Sequence, residues 1–234
     1  PVHAWASVFL YRMEQSLSGK GDLKFLDSVF RKLVINFTWW VNRKDRYGKN
    51  VFEGGFHGLD NIGIFDRSAP LPTGGSLEQA DGTAWMALFS QNMLEMSVEL
   101  TALDPSYEDM VVKFVDHFYF IAAAMNTPGA DSMWDDEDGF YYDLLRLPDG
   151  SSQLLKVRSL VGLLPLCATT VIEPEQRNRV PRAMEFIKER QRRIPELVKA
   201  IHPTGEGNFG VADRGIFALL DRDRLTRVLT RMLD

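Results

Sequence analysis

One cysteine in 234 residues leaves no disulfide within the chain. That residue, Cys167, lies in the apolar run LVGLLPLCATTV, where a buried, inert thiol is expected rather than a nucleophile. No apolar run approaches the roughly 18 residues needed to span a bilayer, and the first residues do not follow a basic-then-apolar signal-peptide pattern. A cytoplasmic chain with no membrane partner is therefore expected. Basic excess is absent too: the net charge is -5, which argues against a nucleic-acid surface. The histidines at 3, 57, 117 and 202 show no metal-ligand spacing. There is no P-loop lysine and no G-x-S-x-G serine. No metal or cofactor is called for.

What is present is an ordinary globular composition, 45% hydrophobic and 25% charged. Helical periodicity dominates. In LKFLDSVFRKLVINFTWWVN the apolar residues fall at three-and-four spacing, with Asp22 placed to cap. GTAWMALFSQNMLEMSVELTAL reads as a long helix. PSYEDMVVKFVDHFYFIAAAMN reads as another, with Pro105 in its first turn. KVRSLVGLLPLCATTV reads as an apolar helix bent at Pro165. The exception is FYYDLLRL and SQLLKV around Pro148-Asp149-Gly150, a β-hairpin pattern. Chain start at Pro1 and a final helix without a stop signal read as a piece of something longer.

Two motifs are weak. GEGNFG, residues 205–210, matches G-x-G-x-x-G but follows a helical stretch where a dinucleotide site needs a strand. DDEDGFYYD resembles a calcium loop, yet Trp134 stands where the EF-hand needs an acid, so an acidic turn entering the hairpin is the better expectation.

The stretch from Asn42 to Ser76 is too long for an ordinary connection, and such loops are usually functional. In and after it, Glu53, Asp60, Asp66, Glu78 and Asp81 alternate with Phe52, Phe56, Phe65 and Trp85, following the Trp39-Trp40 pair. Sugars offer hydroxyls to carboxylates and arginines, and C–H faces to rings. Glycoside cleavage needs one carboxylic acid on the leaving oxygen and a second carboxylate for water or for attack. The plainer reading is a solvated loop with Asp81 as a helix cap.

NFTWWVNRKDRYGKNVFEGGFHGLDNIGIFDRS, LPTGGSLEQADGTAWMA, WDDEDGFYYDLLRLPDG and KVRSLVGLLPL resemble glycoside hydrolase family 63, the family of the mannosyl-oligosaccharide glucosidases and of the related mannosylglycerate hydrolases. The resemblance implies an all-α (α/α)6 toroid, of which residues 1–234 would supply roughly half as a single region of a catalytic domain. It implies an inverting, exo-acting α-glucosidase acting on a small α-glucoside or oligosaccharide. GLDNIGIFDR resembles the family's G-L-D-D-Y-P-R segment and puts Asp60 as general acid. The arginine is displaced to Arg67, which leaves Asp66 as a rival. EQADGTAW places Glu78 and Asp81 at substrate hydroxyls. Trp39, Trp40 and Trp85 are candidates for the sugar platform, with core packing the plainer role for each. Arg67 and Arg43 could bind hydroxyls or steady the acid. The base would lie beyond Asp234. A glucosylglycerate- or mannosylglycerate-type hydrolase and a non-catalytic sugar-binding fragment are the alternatives.

Overall fold

The computed structural model describes residues 2–42, 48–52, 64–67, 69–196 and 210–233. Two helices come first, α1 (Val2–Ser18) and α2 (Leu23–Val41). Asp22 caps α2, its carboxylate accepting from the amides of Lys24 at 2.8 Å and Phe25 at 3.0 Å. After strand β1 (Ser76–Glu78) comes α3 (Ala80–Leu100), and after a single turn at Pro105–Tyr107 comes α4 (Glu108–Asn126). Short strands follow: β2 (Trp134–Asp135), β3 (Phe140–Tyr141), β4 (Asp143–Arg146) and β5 (Ser152–Leu155). A 3-10 run at Leu160–Cys167 leads to β6 (Thr169–Ile172), then α5 (Pro174–Asn178), α6 (Pro181–Arg193), β7 (Gly215–Ala218) and α7 (Arg222–Leu233).

The strands form three small antiparallel sheets, β1-β4-β5, β2-β3 and β6-β7. This is a mixed helix-and-sheet fold, and it corrects the expected all-α toroid. The reason is visible in α3. Nearly every residue of α3 is buried, on all sides of the helix. It packs against α1, α2, α4 and the 3-10 run, and also touches β4 and β6. Sheet pieces therefore cover parts of a helix for which a ring of paired helices was expected. The expected apolar helix through KVRSLVGLLPLCATTV is likewise replaced, by the 3-10 run and then β6. Cys167 is exposed rather than buried, although nearby apolar groups still push its thiol pKa up.

Aromatic rings fill the junction of α2, α3 and α4. Phe37 packs edge-on against Phe89 at 5.1 Å and Phe114 at 5.0 Å, and Phe30 meets Phe114 at 6.1 Å. Phe37 has no exposed surface. Phe37→Ala is expected to cost about 3–5 kcal/mol by leaving a cavity in this junction. Urea unfolding reads the change as a lower midpoint at unchanged slope; a loss below about 1 kcal/mol would show that the junction is not a closed core.

Candidate functional site

The site is built around the first turn of α3. Gln79 occupies the N-cap position but makes no side-chain capping bond. Asp143, from the neighbouring β4, supplies it instead: its Oδ1 accepts the Ala80 amide at 2.9 Å. Asp81, read from the sequence as the cap, lies in the first turn, and its Oδ1 accepts the Gly82 amide at 2.8 Å. The carboxylates of Asp81 and Asp143 then share one cation. Arg67 Nη1 donates to Asp81 Oδ2 at 2.8 Å, Nη2 donates to both Asp81 and Asp143, and Nε lies 3.0 Å from Asp143 Oδ2. All three side chains are buried.

The other end of the long loop is tied to the same turn. Gln79 donates its amide to the Phe52 carbonyl at 2.9 Å, and Phe52 donates its own to Thr83 Oγ1 at 3.0 Å. Gln79 Nε2 reaches the Arg67 carbonyl at 3.3 Å. Phe52 and Arg67, fifteen positions apart in the sequence, are thus both fastened to residues 79–83.

A second buried arginine repeats the pattern along the sheet. Arg146 on β4 grips Glu78 on β1 bidentately, at 2.9 and 3.0 Å, and also donates to Asp131. The strands can approach because residue 75 is glycine. A Cβ there would fall 1.7 Å from the Arg146 carbonyl oxygen. Sequence reasoning passed over Arg146 and Asp131. Asp143 enters the sequence reading only as part of the hairpin strand FYYDLLRL.

Burial dominates the electrostatics. It pushes the Asp143 carboxyl up to about 6, against the downward pull of Arg67 and the Ala80 amide and with a further push from Asp81. Burial lowers the Arg67 pKa, but the two carboxylates more than offset it and hold the guanidinium above its ordinary value.

Glu78 and Asp81 have no exposed surface and are engaged with Arg146 and Arg67. In this arrangement they hold arginines rather than present oxygens to a surface. Arg67 lines a small crevice with Asp143, Ile64, Leu155 and Val157. Asp66 is exposed beside it. Trp85 is partly buried one turn beyond Asp81, packed against the core. Trp39 and Trp40 lean edge-on at 4.7 Å at the end of α2; Trp39 is exposed and Trp40 packs partly against the core. Asp60, Arg43, Glu53 and Phe56 lie outside the described residues, as does most of GEGNFG.

Ile64, Leu155 and Val157 also line an open groove of about 620 Å³ with Ser132, Gln153 and Lys156. The groove therefore adjoins the crevice above Arg67.

Three acidic side chains of the turn before the hairpin have partners within the chain. Asp135 pairs with Lys156 at 2.7 Å, Asp138 with Arg158, and Asp136 accepts Trp134 Nε1 at 2.7 Å. Among the described residues no cluster of acids, histidines and cysteines could hold a metal, and no helix is long and apolar enough to cross a membrane.

No family model matches the chain. It is 44% identical over 251 aligned residues to "Uncharacterized protein YMR196W" of Saccharomyces cerevisiae, an alignment covering all of this chain and 22% of the yeast protein. It is 22% identical over 188 residues to an "Uncharacterized protein" of Borreliella burgdorferi, covering 80% of this chain and 33% of that one. The chain thus spans about a fifth and a third of the lengths of these relatives. No solved structure matches.

Two substitutions test the arginine grip. Arg67→Met leaves two buried carboxylates without their cation and is expected to cost about 3–5 kcal/mol, read by urea unfolding at pH 7; a cost under 1 kcal/mol would mean that the triad is not a tie. Asp143→Asn tests the titration. Because its folded pKa is raised above the unfolded one, the stability this group contributes is full below about pH 4 and is lost as pH rises through about 6. The wild-type-minus-variant difference in unfolding free energy should fall across that window. A flat difference from pH 4 to 7 would exclude it.

Proposed function

We propose that the chain is the acid-bearing part of a glycoside hydrolase, an inverting enzyme acting on the terminal α-glucosidic bond of a small glycoside or oligosaccharide. The observation that supports it most is the double fastening of the long loop. Residues 53–66 carry the stretch that resembles the family's acid segment, and Phe52 and Arg67 on either side of them are tied to the first turn of α3. A loop whose ends are held by a buried ion triad and backbone bonds is a loop whose position matters. Surface connections do not ordinarily call for desolvated carboxylates, whose burial is costly unless well paired.

On this reading Asp60 protonates the leaving oxygen, with Asp66 its rival. Arg67, Glu78 and Asp81 position the loop and sheet from within, and the sugar is met by groups nearer the surface. The groove adjoining the Arg67 crevice has the volume of a small-ligand site. Gln153 offers an exposed amide, Lys156 carries a cation held by Asp135, and Ile64, Leu155 and Val157 offer an apolar lining. The second carboxylate would come from polypeptide outside these 234 residues, about 6.5–9.5 Å from the acid as inversion requires. The compartment proposed is the cytoplasm, where a lone exposed thiol stays reduced.

The test uses the full-length protein, with a panel of α-glucosides and with Asp60→Asn. General acid catalysis contributes about 10²- to 10⁴-fold, so activity on an unactivated glycoside should fall at least that far while the fold persists. Proton NMR of the first product should show the inverted anomer. Hydrolysis with a tenth or more of its rate left in Asp60→Asn would remove Asp60 and turn attention to Asp66. No hydrolysis and no binding of any α-glucoside by the wild-type protein would sink the reading itself.

A further inference from the structure

Helix α1 is apolar on two opposite sides. Ala4, Val8 and Tyr11 are buried in the core. On the far side Val2, Trp5, Phe9, Leu10, Met13 and Leu17 stand in water, Leu17 at 83% exposure and Val2 and Leu10 at 55%. At 100° per residue the outer six form one stripe along the whole helix. Trp5 and Phe9 already stack, 5.4 Å apart and 12° from parallel. A surface helix shows one apolar stripe; a helix with two is covered on both sides. Patches of this kind mark contact surfaces.

We propose that this outer face pairs with the same face of a second copy of the chain, the two α1 helices running antiparallel about a two-fold axis near Phe9 and Leu10. The spacing supports a second copy over another occupant. The stripe is close to symmetric about its own centre, so reversal brings Val2 opposite Leu17, Trp5 opposite Met13 and Phe9 opposite Leu10. Wide rings then meet flexible chains, a self-complementary match that an isologous interface demands. The exposed area is on the order of 600 Å² per copy, near the roughly 800 Å² per partner of a standard interface. Antiparallel helices also oppose their dipoles favourably.

Charge does not obstruct the pairing. The stripe itself carries no ionisable side chain. The flanking charges are engaged within their own chain: Arg12 lies 3.1 Å from Glu95, and Glu14 accepts the Asp22 amide at 2.8 Å.

Light scattering after gel filtration, with sedimentation across micromolar concentrations, tests this. The 234-residue chain should be a dimer with micromolar or tighter affinity. Phe9→Glu sets two like charges near the axis and should weaken the dimer at least a hundredfold at unchanged circular dichroism, with Tm no lower than that of the wild type diluted below its dimer Kd. Leu229→Glu, at an exposed apolar position on α7, should leave it intact. Orientation is read by crosslinking in a Cys167→Ser background. A mixture of Val2→Cys and Leu17→Cys chains should form a disulfide-linked heterodimer, while neither forms a homodimer alone. A wild-type monomer at about 100 µM would overturn the pairing and leave the face to other polypeptide. So would a dimer that survives Phe9→Glu, or a Val2→Cys chain that crosslinks to itself.

Discussion

The guanidinium of Arg67, gripped by Asp81 and Asp143, is the constraint around which the described structure is arranged. Its three members come from the long loop, the first turn of α3 and strand β4. No one of the three side chains is tolerable alone where it sits. A lone buried charge costs several kcal/mol, and even a paired one rarely beats an apolar replacement. What the triad supplies is definition: five donors in a fixed fork accept only one arrangement of two carboxylates. Asp143 adds a second function to the same atom, since its Oδ1 meets both Arg67 and the open Ala80 amide. The start of α3, the edge of the sheet and the end of the loop are therefore set by one another.

Arg146 and Glu78 extend that definition along the sheet. Their bidentate pair crosses from β4 to β1, and β1 runs through Gln79 directly into α3. The short β1-β4 register would otherwise be weakly specified, because three residue pairs offer little backbone bonding. Gly75 is the steric condition for it, since any side chain there would strike the Arg146 carbonyl. The polar residues inside α3 belong to the same logic further along the helix. Gln91 donates to the Phe217 carbonyl, and Glu95 accepts Thr170 while facing Arg12. An enclosed helix carries polar groups where other elements need fastening to it.

How much of this was legible follows from the range of each signal. The helices α2 and α4 were readable because periodicity over about twenty residues is self-averaging, α3 because it is a long run without proline or an internal turn signal, and Asp22 announced the start of α2. The β4-β5 hairpin was readable because Pro148-Asp149-Gly150 is local turn chemistry. The pairing of β6 with β7 was not: four residues around Val171 meet four around Phe217, with α5 and α6 between them, and strands that short show no alternation to count. The all-α toroid that the resemblance implied left no place for such sheets, and the three that the structure contains overturn it. Within the site, Glu78, Asp81 and Arg67 were found by residue type, but their enclosure was not. A carboxylate destined for an arginine and one destined for a sugar look alike in sequence. Asp143 stood in FYYD, yet nothing local says that it reaches a residue 76 positions earlier.

That ambiguity bears on function. Enclosed carboxylates cannot meet a sugar where they stand, so their part in any hydrolase is to hold what does. The ion triad resists displacement because moving Arg67 alone would leave Asp81 and Asp143 charged and buried, and moving β4 alone would uncap α3. Tying Phe52 and Arg67 to one helical turn brings the two ends of the intervening segment to a common support. Fixing both ends costs chain entropy, which the buried ion pairs and backbone bonds at those ends must offset. A glycine-rich segment gains its definition from its anchors, because glycine supplies no rigidity of its own.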